Sequence, residues 1–218
     1  MTGAAQAGTG TVFIVDDDAP FLRSVARLLS ALGYAVDTFG SAHDFFARPN
    51  PERPGCVVAD IQMPGINGLQ LQAMLRKSPN PLPVIFLTGQ GDIPTTVSAM
   101  RSGAEDFLTK RAPKEELLAA VERALERDAR ERLERERQQR LTGRLAELSE
   151  REKEVLGHVV LGKMNKEIAA DLNINLRTVK LHRTNITRKL NVQSVAELTR
   201  LADETGFFKR LHGSASKS

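Results

Sequence analysis

The chain lacks the residues that would make a disulfide scaffold, a zinc centre or a membrane anchor. Cys56 is its single cysteine, so no internal disulfide can form, and its four histidines are scattered, which rules out a Cys/His zinc cluster. Any metal must be held by oxygen. No apolar run approaches the ~20 residues needed to cross a bilayer. The opening MTGAAQAGTG has neither the basic start nor the apolar core of a secretory signal. The expectation is a cytoplasmic protein with no membrane partner.

What is present is an ordinary globular composition. The chain has 218 residues, 41% hydrophobic and 27% charged, which suits one or two domains with buried cores. The formal charge is −2 over residues 1–125, +2 over 126–145 and +4 over 146–218, so the basic character gathers at the C-terminal end. A mildly acidic module joined to one that can meet a polyanion fits that asymmetry.

From Thr11 to about Leu125, short apolar or β-branched runs alternate with amphipathic stretches: TVFIV, PFLRSVARLLSAL, AVDTF, CVVAD, LQLQAMLRK, VIFLT, PTTVSAMRSG, EDFLTK and KEELLAAVERAL. Five strands alternating with helices predict an α/β doubly wound, parallel five-stranded sheet. TVFIV, CVVA and VIFL are apolar without alternation, as central strands covered on both faces should be. The stretch ERALERDARERLERERQQR is crowded with opposite charges at helical spacing, and predicts a charged helical linker over 126–145. Leu125, Leu133 and Leu141 form too thin an apolar stripe to choose between a solvated helix and a dimeric coiled coil. Residues 146–210 read as an all-α, four-helix domain, followed by a disordered tail over 211–218. Within it, Ser149 with Glu152 and Ser194 with Glu197 are expected capping boxes, and Asn165 and Asn175 expected N-caps. NKEIAADL, NINL and RTVKLHRTNITRKL make a helix-turn-helix pattern.

In a parallel sheet, ligands lie at the carboxyl ends of the strands. Asp16 and Asp17 follow the first strand, Asp60 ends the third, Thr88 ends the fourth and Lys110 ends the fifth. Clustered carboxylates repel one another unless a cation intervenes, and a site with oxygen ligands alone suits Mg²⁺. A lysine and a hydroxyl beside them can donate hydrogen bonds to phosphoryl oxygens. The chemistry this points to is phosphoryl transfer to a carboxylate nucleophile. Asp18 is expected to cap the first helix or face solvent, and Cys56 to be core.

FIVDDD, VVADIQMPGINGLQL, LTGQGD and GAEDFLTK resemble the receiver domain of response regulators, over residues 10–125. The resemblance implies that Asp60 is the phosphoacceptor. It also implies Mg²⁺ bound by Asp17, Asp60 and the Gln62 backbone carbonyl, with Asp16 acting mainly through metal-bound water. Thr88 and Phe107 would be a switch pair, Lys110 would contact the phosphoryl group, and Gln62 and Gln90 would tune its lifetime. One departure stands out: the family usually reads Lys-Pro after the fifth strand, whereas this chain reads Lys110-Arg111-Ala112-Pro113. A cis bond before Arg111 would cost about 3 kcal/mol, so a trans, differently shaped loop is expected.

Taking Val179, Ile186 and Leu190 as the inward face of the second reader helix, a turn of ~100° per residue sends Arg177, Leu181, Thr184 and Arg188 outward, with Lys180 at their flank. A cationic face with one apolar tooth suits a major groove. The alternative is a protein-binding helix pair. The run LSEREKEVLGHVVLGKMNKEIAADLNINLRTVKLHRTNITRKLNVQSVAEL is similar to the LuxR-type DNA-binding domain. That resemblance places Lys180, Leu181 and Thr184 at base-reading positions and Asn165, Lys166, Thr178, Arg183 and Lys189 near phosphates. His182 is expected to pack or bond backbone, and the last helix, with Val195, Leu198 and Ala202, to dimerise, pack the core, or both.

Together the modules resemble two-component response regulators of the FixJ-like and NarL-like type, closer to the FixJ-like group. The resemblance implies a transcriptional regulator, an activator by the family's leaning, and not an enzyme. Its partners would be a sensor histidine kinase, double-stranded DNA, a second copy of the chain on phosphorylation or DNA binding, and RNA polymerase as a further candidate. Two alternatives stand beside it: a phosphorylation-independent DNA-binding regulator with a degenerate receiver, and an enzyme acting on an external phosphoester. The second lacks a clear general acid-base residue and substrate pocket.

Overall fold

The computed structural model describes residues 10–89, 101 and 103–207, which fall into two compact units, one up to Leu133 and one from Glu134. Gln90, the stretch PTTVSAMRSG up to Met100, and the tail from 208 onward lie outside the described residues.

The first unit is a five-stranded parallel sheet: β1 Thr11–Val15, β2 Ala35–Phe39, β3 Gly55–Asp60, β4 Val84–Thr88 and β5 Asp106–Thr109, in the order β2-β1-β3-β4-β5. Every residue of β1, β3 and β4 is buried, as their unbroken apolar runs predict, whereas the edge strands β2 and β5 are partly open. Helices α1 Ala19–Ala31, α2 Ala42–Phe46 and α3 Gly68–Leu75 connect the strands. The five-residue α2, started by Ser41 accepting from the Asp44 N–H, is too short to show in sequence periodicity. One core lies on each face of the sheet. Phe13, Phe45, Leu71 and Phe86 fill one, and Ile14, Leu29, Ile85 and Val121 the other.

Gly68 opens α3 directly beneath the end of β3. A Cβ there would lie 2.4 Å from the carbonyl oxygen of Asp60 and 2.9 Å from the Ile61 Cα. The glycine is needed because α3 starts against the backbone of the strand that carries Asp60.

The long helix α4, Lys114–Ala146, runs without a break through the predicted linker. Its first turns belong to the core of the first unit: Leu117, Ala120, Val121, Ala124 and Leu125 are buried. Continuation past 125 is held by polar contacts that periodicity does not reveal. Asp128, 2% exposed, accepts from the Gly55 N–H at 2.9 Å and from Arg132 Nε at 2.9 and 2.8 Å. Arg132 also donates to the carbonyls of Glu52 and Arg53. Leu125 is buried in the core of the first unit, Leu133 is 66% exposed, and Leu141 packs against the core of the second unit.

The second unit contains the end of α4 and four helices: α5 Glu150–Val160, α6 Asn165–Asp171, α7 Leu176–Leu190 and α8 Val195–Glu204. Val155, Leu156, Ile168, Val179, Ile186, Leu190 and Ala202 form its core. Ser149 and Glu152 make the predicted capping box. Two capping expectations need correction. Met164, not Asn165, is the N-cap of α6, and the Glu167 carboxylate accepts from its N–H; Asn165 is the first helical residue. Ser194 caps α8, but Glu197 reaches back to the Gln193 N–H rather than to its own cap residue.

Replacing Asp128 by alanine leaves the Gly55 N–H and the Arg132 guanidinium without their shared acceptor. The expected loss is about 2–4 kcal/mol in the stability of the first unit, read from urea unfolding of the full chain. A change below about 0.5 kcal/mol would refute the role given to this contact.

Candidate functional site

The parallel register brings the ends of β1, β3, β4 and β5 to one edge of the sheet, and the side chains that follow build the site there. Asp16 and Asp60 are buried, 1% and 7% exposed, while Asp17 is open to solvent. Each of the three offers a carboxylate oxygen within 4.8 Å of the other two. Lys110 Nζ lies 2.6 Å from Asp16 Oδ2 and donates to Asp60 Oδ2 at 2.8 Å. The second oxygens accept backbone N–H groups, Asp16 Oδ1 from Asp18 at 2.9 Å and Asp60 Oδ1 from Gln62 at 3.2 Å.

Burial pushes the Asp16 carboxyl above its ordinary range, an effect that Lys110 and the Asp18 N–H oppose without cancelling. For Lys110, burial alone would lower the pKa, but the two carboxylates hold it above the usual lysine value. The ammonium therefore stays charged. Three carboxylates against one contacting ammonium form a donor set suited to a hard divalent cation such as Mg²⁺, with Asp16, Asp17 and Asp60 as the residues to hold it.

The departure at Arg111 leaves the lysine in place. The peptide bonds of this loop are trans, as expected. Lys110 N–H donates to the Thr88 carbonyl at 2.8 Å, which carries the β4–β5 ladder one step past the strand end, and Ala112 N–H closes a turn on the Thr109 carbonyl at 2.9 Å. Thr88 is buried, and Phe107 is half-buried with its ring centre 6.5 Å from that of Phe86. Gln62 is exposed, and Gln90 lies outside the described residues. Asp18 caps α1 by accepting from the Phe21 N–H, one of the two expected roles. Cys56 is fully buried, and burial pushes its thiol far up, which makes it inert core. Sequence reasoning passed over Phe21, whose ring centre lies 4.6 Å from Lys110 Nζ. The signal for it was the Asp18 cap, which fixes where the third residue of α1 falls.

In the second unit, α7 turns its buried face inward through Val179, Ile186 and Leu190, and leaves Arg177, Lys180, Leu181, Thr184 and Arg188 exposed. Leu181 is 58% exposed, so the apolar tooth stands free. Thr184 donates its hydroxyl to the Lys180 carbonyl at 3.1 Å. Lys166 is exposed and Thr178 half-buried. Two of the remaining cationic candidates have partners within the unit. Arg183 donates to Asn165 Oδ1 at 3.0 Å, tying the start of α6 to α7. Lys189 donates to the buried carboxylate of Glu152 at 2.7 Å and to the Glu147 carbonyl at 3.1 Å. The His182 Nδ1 is buried without a hydrogen-bond partner among the described residues, so the ring packs rather than bonds backbone through that atom. In α8, Leu198, Leu201 and Ala202 are core and Val195 is 46% exposed.

The family described as "Response regulator receiver domain" matches residues 12–122, and the family "Bacterial regulatory proteins, luxR family" matches residues 146–202. The chain is 40% identical over 197 residues to the transcriptional regulatory protein FixJ of Rhizobium meliloti, covering 90% of this chain and 97% of that one. It is 38% identical over 192 residues to the response regulator protein TodT of Pseudomonas putida, covering 88% and 85%. Among solved structures, the response regulator StyR matches with a TM-score of 0.80 and 43% identity over 89% of this chain and 98% of that one.

The Glu152–Lys189 pair makes a pH-dependent prediction. Burial alone would raise the Glu152 pKa, but Lys189 and the Ser149 cap bring it below the ordinary glutamate value. Such a group stabilises the fold above the unfolded pKa of about 4.3, and that stabilisation is lost as pH falls through the lower folded value. Lys189→Ala should therefore lower the melting temperature of the second unit at pH 7, with the gap from wild type closing below about pH 4. A gap independent of pH in calorimetry would contradict the assignment.

Proposed function

The chain belongs to the response regulators that join a receiver domain to a LuxR-type DNA-binding domain, and from that membership we propose that phosphorylation of Asp60 controls its binding to DNA. That family acts by regulating transcription, not by turning over a substrate. The observation that carries the reading is the ammonium of Lys110 held between Asp16 and Asp60 at the carboxyl edge of the sheet.

The donor is a sensor histidine kinase carrying a phosphohistidine. An Asp60 carboxylate oxygen attacks phosphorus, the P–N bond breaks, and its electron pair leaves with the imidazole, which takes up a proton from solvent. Lys110 offsets charge on the transferring phosphoryl oxygens, and the Thr88 hydroxyl, at the neighbouring strand end, donates a hydrogen bond to one of them. Asp17, Asp60 and the Gln62 backbone carbonyl, with Asp16 mainly through bound water, would hold Mg²⁺, which would supply further charge neutralisation to the transfer. Thr88 and Phe107 then pass the change to the surface of the receiver.

The consequence is dimerisation. Two second units tethered in one dimer contact two half-sites, and the second contact becomes intramolecular. Lys180, Leu181 and Thr184 read base edges, while Arg177, Arg188, Lys166 and the N–H groups at the start of α6 meet phosphates. The proposed outcome is transcriptional activation, with RNA polymerase as the downstream partner.

Intact mass after treatment with acetyl phosphate and Mg²⁺ tests the central step. One added phosphoryl group on the wild-type chain and none on Asp60→Asn is expected; no adduct on either would count against phosphorylation control. On the DNA side, Lys180→Ala should cost about 1–3 kcal/mol on the preferred operator and relax base preference. Equal weakening on all sequences, measured by titration at fixed salt, would reassign Lys180 to the phosphates.

A further inference from the structure

Lys110 is followed by Arg111, so no proline ring restrains the backbone at this point. The Lys110 backbone is held by the Thr88 carbonyl, but four rotatable bonds separate that anchor from the ammonium. Among the described residues, the ammonium's ion-pair and ring partners are the carboxylates of Asp16 and Asp60 and the ring of Phe21. The carboxylates cannot be its only guide, because both have other work when a cation or a phosphoryl group is present. The ring remains.

Phe21 is itself fixed by the same residues. Its N–H donates to Asp18 Oδ1, the cap of α1, and the Asp18 N–H donates to Asp16 Oδ1. Asp16 Oδ2 then contacts Lys110 Nζ, which lies 4.6 Å from the Phe21 ring centre. Asp16, Asp18, Phe21 and Lys110 thus form a closed circuit of contacts. An aromatic face within ~6 Å attracts a cation through its quadrupole, more strongly when both are shielded from water. The Lys110 side chain is 17% exposed and Phe21 is half-buried, so both are partly shielded.

We propose that Phe21 is a positioning residue for phosphoryl transfer, its ring face holding the Lys110 ammonium toward Asp60. The proposal rests on the reading of Asp60 as phosphoacceptor. A misplaced ammonium stabilises the transferring phosphoryl group less, so the maximal rate falls while the donor concentration for half-maximal rate stays put.

The test measures the rate of Asp60 phosphorylation by acetyl phosphate and Mg²⁺ in the full chain, with thermal unfolding alongside. Phe21→Leu keeps apolar bulk and removes the ring; Phe21→Trp keeps a ring face. The expected result is a roughly 3- to 10-fold lower maximal rate for Phe21→Leu, restored toward wild type by Phe21→Trp. In a Lys110→Ala background, Phe21→Leu should have no further effect, because its action runs through the lysine. A wild-type rate in Phe21→Leu, an equal loss in Phe21→Trp, or full additivity with Lys110→Ala would each overturn the proposal. A wild-type chain that takes no phosphoryl group would instead overturn the phosphoacceptor reading, and this proposal with it.

Discussion

Two carboxylates at neighbouring strand ends cannot both be buried and charged without a counter-charge, and the geometry of the first unit follows from meeting that demand with Lys110. The lysine starts beyond β5, two strand spacings or about 10 Å from β3, and must cross the end of β4 to touch Asp60. Only a parallel sheet in this register puts the three ends within reach of one another. The all-apolar central strands that permit such a sheet, and the glycine that lets α3 begin against the end of β3, serve the same edge.

Much of this was legible in the sequence because it depends on residue type and period. Unbroken apolar runs marked β1, β3 and β4, and the residues after them fell at the carboxyl edge as the topology required. The inward face of α7 was equally plain, since Val179, Ile186 and Leu190 are the residues that the structure buries. The fate of the charges was not legible. Arg132, Arg183 and Lys189 look like any solvated cation in a list of residues, yet each is committed to a partner 4, 18 or 37 positions away. Asp128 likewise reads as one more charge in a charged helix, until the fold places the Gly55 N–H beside it.

The same limit explains the two capping corrections and the extent of α4. A cap is chosen by local backbone geometry, which here puts Asn165 one residue inside α6 and frees its side chain for Arg183. The receiver-facing part of α4 is prolonged beyond its last buried leucine by hydrogen bonds, which leave no hydrophobic trace.

The ties on α7 bear on how its exposed face meets a ligand. Its middle is bound to α6 through Arg183 and Asn165, and its C-terminal end to α5 through Lys189 and Glu152. A helix tied at its middle and at its C-terminal end is held in place before any encounter. Association then carries no folding step: its rate is governed by diffusion and charge, and the heat-capacity change on binding reflects the surface dehydrated at the contact alone.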